Sequence, residues 1–374
     1  MNPYDFVRID WARPPERRRP IWHHRLISQE GQQLYSGRLA VDIYAETPLF
    51  IADSRSGLPD PRKAVQSIKD GQGAYIIPGS SLKGMLRNVV ETLGNGCLTL
   101  FDGSYERRQV NYGRAVPEVF LHCSDNTNLC IACRIFGMLK EHSQGVYLGK
   151  VAISDAYAYP EKTYLYAPIY TRQLMEPKPH HASFYLDEAR QYIAGRKYYF
   201  HHSAEMDPVT RNGLVYMGGK PANRHIQPLS YSTQFHVRID FTNLEPDEFA
   251  ALLLAITLED RMRHKIGYGK PLGLGSVYLF PTRLTLIDYA ARYTQANKER
   301  GMAVYEGDSL WTVIDGPLDE FYQKHLLQSA LVDLRRIWRW PPDPTVDYYY
   351  PDKHKWFDTS ASIGKRIADT RNVP

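Results

Sequence analysis

Apolar and polar residues alternate in two separate stretches of the chain. From 37 to 45, Leu39, Val41 and Ile43 fall on one side and Asp42 and Tyr44 on the other. From 234 to 241, Phe235, Val237, Ile239 and Phe241 alternate with His236, Arg238 and Asp240. A period of two is that of a half-buried strand. Residues 149–156 and 277–287 add two more strands, the first with Val151 and Ile153 facing one way. Two stretches have helical spacing instead. Leu82, Met85, Leu86, Val89, Val90 and Leu93 share one side behind Ser80 and Ser81, either of which can cap a helix. Pro246, with Glu245, Asp247 and Glu248 around it, opens a second helix that is apolar nearly all round from Ala250 to Ile256, so it is expected to be buried.

The order strand, helix, strands, strand, helix, strand is that of an α+β, ferredoxin-like (RRM-like) βαββαβ core with large insertions. That core is expected over 37–287. An irregular cysteine-bearing loop covers about 94–145, and a Tyr-, His- and Arg-rich insertion covers about 157–231, read as a hairpin projecting from the core. Residues 1–36 read as a basic N-terminal arm, either extended or a flexible tail, with Arg8, Arg13, Arg17, Arg18, Arg19 and Arg25. Residues 288–374 read as a helical and Pro/Tyr-rich C-terminal extension, where Leu318, Phe321, Tyr322, Leu326, Leu334 and Ile337 can share a helix face before Pro341 and Pro342.

Composition narrows this little. Net charge is +5 and 27 tyrosines are present, which fits nucleic-acid binding only where the basic residues cluster. No apolar run approaches the roughly 20 residues of a membrane span, so no membrane partner is expected. The lack of an apolar leader and the reading of the cysteines as reduced give the expectation of a cytoplasmic protein.

Basic residues do cluster at two glycine-bearing turns. In Ile76-Ile77-Pro78-Gly79-Ser80-Ser81-Leu82-Lys83-Gly84-Met85-Leu86-Arg87, a helix start offers backbone N–H groups and hydroxyls, and Lys83 and Arg87 lie one turn apart. Such an end attracts phosphate. In Lys265-Ile266-Gly267-Tyr268-Gly269-Lys270-Pro271-Leu272-Gly273-Leu274-Gly275, four glycines permit close approach of the backbone to a polyanion or a neighbouring chain. Cys123, Cys130 and Cys133 include a Cys-x-x-Cys pair, so a structural zinc is within reach, with Cys97, His122 or His142 as a fourth ligand.

Taken in order, IPGSSLKGMLR, CxxCRIFG (Cys130 to Gly137), GKVAISDA (Gly149 to Ala156) and GYGKPLGLGSV (Gly267 to Val277) resemble the RAMP superfamily of CRISPR-associated proteins. The resemblance extends over about 37–287 and is strongest to the guide-RNA backbone subunits of type III effector complexes. It implies antiviral defence, with guide RNA, complementary target RNA and other CRISPR effector subunits as partners. It implies phosphate contacts from Ser80, Ser81, Lys83 and Arg87. It places Lys265, Gly267, Lys270 and Gly273 against RNA or an adjacent subunit. The insertion resembles a thumb that wedges between bases, with Tyr164, Tyr166, Tyr170 and Arg172 stacking or holding phosphate.

Cleaving members of this family carry an aspartate in the loop between the first strand and the IPGSSLKG turn. Here that loop holds Asp60, Asp53 and Asp70, of which Asp60 is the first choice. A divalent metal would accompany RNA cleavage. The Gly-Gly-x-Asp-Asn context of the cleaving members is absent. Two alternatives stand beside this: a guide-RNA processing endoribonuclease of the same superfamily, for which His23, His24 and His264 are available, and a non-catalytic capping subunit, which the C-terminal extension fits.

Overall fold

A computed structural model describes residues 1–25, 31, 34–53, 63–98, 104–105, 110–111, 115–139, 146–174, 184–203, 213–217, 220–294 and 301–350. The chain is a mixed α+β structure built on one curled antiparallel sheet. Its long strands are β1 (Tyr35–Ala45), β4 (Gln234–Leu244) and β5 (Ser276–Ile287). The short strands β2 (Val151–Ile153) and β3 (Ala156–Ala158) both pair with β4, and β6 (Met302–Glu306) pairs with the far end of β5. The sheet runs His264–Lys265, β5, β1, β4, β3, Ile76–Ile77.

Register follows the alternation in sequence. Phe235, Val237 and Ile239 of β4 stand opposite Ile43, Val41 and Leu39 of β1. A one-residue slip would turn this whole apolar set to the other face, so burial pins the pairing. The inward residues pack under α1 (Gly79–Leu93) and α3 (Pro246–Thr257) in a single core. The opposite face stays open, with Arg38, His236 and Arg238 exposed.

The start of α1 departs from the expected serine cap. Ser80 and Ser81 are both exposed, and no side chain caps the helix at Pro78. Instead Asp155 Oδ1 accepts the Gly79 N–H at 2.7 Å from the turn between β2 and β3. Gly79 permits this contact because a Cβ there would collide with the carbonyl oxygens of Ile153 and Ser154. A carboxylate at a helix N-terminus also satisfies the dipole. The α3 start is as expected, with Pro246 in the first turn and a capping box between Glu245 and Glu248.

Two pieces of the basic arm are strands that dock on later segments. Tyr4–Val7 pairs with Arg196–Tyr199, and Arg17–Arg18 pairs with Leu129–Cys130. Arg8 forms a forked ion pair with Asp333, and Arg18 reaches Asp247 at 2.6 Å. Asp247 belongs to a buried ion cluster that ties α2 (Ile131–Phe136) to the start of α3. There Arg134 contacts Glu245, Asp247 and Glu248, while the fully buried Lys150 contacts Glu248 at 2.7 Å.

The described residues of the Tyr-rich insertion take up two positions. Ile169–Tyr170, His225–Gln227 and Val65–Gln66 make a small sheet, whereas Tyr198 and Phe200 enter the main core beside the arm. In the C-terminal extension, the helix expected before Pro341 is two helices, α4 (Asp308–Lys324) and α5 (Gln328–Ile337). Leu310, Ile314, Phe321, Leu334 and Ile337 join the main core. No helix among the described residues is long and apolar enough to cross a membrane.

Candidate nucleic-acid interface

The two glycine-bearing turns, nearly 200 residues apart in sequence, meet across one cleft of about 530 Å³. One wall is α1, through Ser81, Gly84, Met85 and Asn88. The other is the glycine-rich loop, through Lys265, Ile266, Gly267, Tyr268 and Lys270. Ile51 and Ala52, just past β1, and Trp338, at the end of α5, complete the lining. None of these residues is acidic.

The loop can form this wall because its glycines take backbone conformations closed to other residues. Gly267 has φ +84° and lies so close to Phe50 that a Cβ would meet its carbonyl oxygen at 2.5 Å. Gly273, at φ +90°, is packed on the His202 ring and not on the cleft. Tyr268 is held in place by an edge contact with Phe50 and by the Arg224 guanidinium 5.0 Å from its ring centroid.

Burial shapes the charge of the site. Desolvation pushes the Lys265 ammonium well below its ordinary range, and the amine donates to the Leu274 carbonyl at 3.1 Å. Lys270 is lowered by burial and donates to the Gly267 carbonyl at 2.8 Å. Lys83, half-buried on α1 but outside the lining, is lowered by burial and by the nearby Arg87. No ion pair joins any of these three lysines to a described carboxylate. The Trp338 indole N–H is buried and without a hydrogen-bond partner among the described residues. Partly desolvated amines, an unused donor and no acid form a site that an anion carrying acceptor oxygens would complete.

The structure thus gathers Ser81, Lys265, Gly267 and Lys270 and leaves other expected residues elsewhere. Ser80 is exposed at the helix start. Arg87 turns away from the cleft, toward the cysteines. Tyr164 is exposed, Tyr166 packs against the cluster of Phe50, Ile169, Ile226 and Leu274, and Tyr170 stacks on His225 at 4.1 Å. Arg172 is half-buried. Asn88, Tyr268 and Trp338 were not singled out by sequence. Asn88 directly follows the first motif and Tyr268 lies inside the second, but nothing in the C-terminal pattern points Trp338 to this cleft.

Of the three aspartates, Asp53 directly follows cleft-lining Ala52. The Asp70 carboxylate accepts the N–H groups of Gln72 and Ala74 at 2.9 Å each, closing a tight turn. Asp60 lies outside the described residues. His264 is buried with Nε2 on the Ala255 carbonyl, and burial holds it down at about 4, so it is not placed to exchange protons with RNA.

The second constellation is metal-like. The sulfurs of Cys97, Cys123, Cys130 and Cys133 all lie within 4.8 Å of one another, every residue is buried, and none is in a disulfide. Cys97 therefore completes the set rather than His122, and His142 lies outside the described residues. A zinc–sulfur bond of about 2.3 Å implies sulfurs about 3.8 Å apart in a tetrahedron, and Cys97 and Cys133 are 3.7 Å apart. Backbone N–H groups already point at sulfur, from Cys130 to Cys123 at 3.3 Å and from Cys97 to Cys130 at 3.5 Å. Hydrogen bonds among the thiols lower Cys97 and Cys123 and raise Cys133. The donor set fits a closed, four-thiolate ion.

A family model described as the RAMP superfamily matches residues 42–278. No curated protein matches the chain.

Proposed function

The chain belongs to the RAMP superfamily of CRISPR-associated proteins, and from that membership we propose that it is a guide-RNA-binding backbone subunit of a type III CRISPR effector complex. The observation that carries this reading is the acid-free cleft between α1 and the glycine-rich loop, where Lys265 and Lys270 face Ser81 and Asn88. RNA phosphate or sugar oxygens would take the place of the missing counter-charges, and Tyr268 offers an aromatic wall. The strand order β5, β1, β4, β3 with α1 and α3 on one face supports a ferredoxin-like core.

Cys97, Cys123, Cys130 and Cys133 would hold a structural zinc. Four protein ligands leave no open position, so the ion would cross-link the segment after α1 to α2 and take no part in chemistry. Exposed Tyr164 remains available to stack on a base. Asp53, which directly follows cleft-lining Ala52, would be a candidate to act on a bound strand, beside Asp60 and Asp70.

The test is expression of this chain with the remaining effector subunits and a CRISPR array, followed by recovery of the complex through this chain. Guide-length RNA is expected with it. Target RNA complementary to the guide is then offered to complexes carrying Asp53→Ala, Asp60→Ala or Asp70→Ala. Loss of one specific cut with binding intact makes the subunit catalytic, while an unchanged pattern for all three leaves it a scaffold. Assembly into a complex without RNA contact would refute the proposal.

A further inference from the structure

Two arginines approach the cysteine site from separate segments and meet on one carboxylate. Arg87, on α1, donates from Nε to Glu91 Oε1 at 2.8 Å, from Nη1 to the Gly137 carbonyl at 2.8 Å and from Nη2 to Cys133 Sγ at 3.2 Å. Arg196 lies 3.2 Å from the other Glu91 oxygen and donates from Nη2 to the carbonyls of Gly96 at 2.8 Å and Cys97 at 2.9 Å. Glu91 is only 7% exposed. One guanidinium thus grips the Cys133 side of the site, the other grips the Cys97 side, and a buried carboxylate joins them.

This geometry is costly without a purpose. A guanidinium turned into a core loses its hydration, and four neutral thiols return little for it. A divalent ion held by four thiolates is different, because it carries two net negative charges into a buried site. A planar guanidinium donating to one of those sulfurs offsets part of that charge and fixes the sulfur's direction. Arg87 is three-pronged here, and each prong has a different partner. A lysine, as a point charge on a flexible stem, could not serve all three.

Resting on the metal reading above, we infer that Arg87, braced by Glu91 and Arg196, is a positioning and charge-compensating residue for a divalent metal ion bound by Cys97, Cys123, Cys130 and Cys133. Its role is then toward the metal and not toward RNA phosphate, although it lies one helical turn from Lys83 in the same motif. The clasp also joins α1, which forms a wall of the cleft, to the metal-bearing segments on both sides.

The test compares full-length wild-type protein, Arg87→Met, Arg87→Lys and Lys83→Met. Zinc is withdrawn by a colorimetric chelator, and cobalt(II) is loaded as a spectroscopic probe of thiolate ligation. Wild type is expected to show the sulfur-to-cobalt charge-transfer band of a four-thiolate site. Arg87→Met is expected to weaken zinc retention by about 10- to 100-fold and to change that band. Arg87→Lys keeps the charge and the stem but not the fork, so it is expected to recover only part of the loss. It is also the variant that carries the test if Arg87→Met does not fold. Lys83→Met is expected to hold zinc as wild type does. Zinc retention by Arg87→Met or Arg87→Lys equal to wild type overturns the clasp. A wild-type protein that gives no thiolate–cobalt band overturns the metal reading itself and the clasp with it.

Discussion

Replacing Lys265 and Lys270 together by methionine should flatten the salt dependence of RNA binding while leaving the fold intact. Both residues line the cleft, and burial lowers both ammonium groups. For a single strand, each phosphate neutralised contributes about 0.7 to the slope of log K against log salt. Two lysines therefore contribute about 1.4, which near 0.1 M salt is roughly 25-fold in affinity, or about 2 kcal/mol. Stability should move differently. The double change removes hydrogen bonds to Leu274 and Gly267, each worth about 0.5–1.5 kcal/mol, but it also removes a desolvated amine from the interior. Melting temperature is thus expected to hold or to rise. The assay is fluorescence anisotropy with a labelled single-stranded RNA over about 50 to 200 mM salt, with a thermal melt of each protein. Lys324→Met is the control, since Lys324 pairs with Glu320 on the surface of α4. A double variant with the wild-type slope would refute the reasoning. So would a loss of affinity that appears only with a loss of folded protein.

Other consequences follow from the same contacts. RNA affinity should fall as pH rises toward the ordinary lysine value of about 10.4, because burial lowers Lys83, Lys265 and Lys270 in the free chain and a bound phosphate would restore their protons. Affinity that stays flat over that range in an anisotropy titration counts against it. Gly79→Ala should cost about 1–3 kcal/mol or more in urea unfolding, since its methyl would strike the carbonyl oxygens of Ile153 and Ser154; an unchanged midpoint would show that α1 is not seated there. Glu248→Gln should cost about 3–5 kcal/mol, because it strips the carboxylate from both Lys150 and Arg134 inside the protein. A melt within a degree or two of wild type would contradict the buried cluster.

The long strands and both core helices were legible because their apolar periods are clean and local. The cysteine set was legible as a type of site, but its fourth member needed the fold: Cys97 lies 36 residues from Cys133 and shares no motif with it. Much of what escaped the sequence depends on partners that only the fold brings together. Asp155 caps α1 from 76 residues away, where Ser80 and Ser81 were the local candidates. The Arg-rich start reads as a basic arm or a flexible tail, and only the fold shows that Asp247 and Asp333 receive Arg18 and Arg8. Arg87 has the helical spacing of a surface partner to Lys83, yet Glu91 and the Cys133 sulfur draw it inward. Trp338 reaches the cleft from the far end of α5, a placement that only the packing of the C-terminal helices on the core produces.

The central claim is that RNA lies in the cleft between α1 and the glycine-rich loop. Ultraviolet cross-linking of the guide-loaded complex, with mass spectrometry of this chain's peptides, addresses it directly. Cross-links are expected at Tyr268 and neighbouring loop residues, along α1 from Ser81 to Asn88 and at Trp338. Cross-links confined to other surfaces, such as the open face carrying Arg38, His236 and Arg238, would contradict the account.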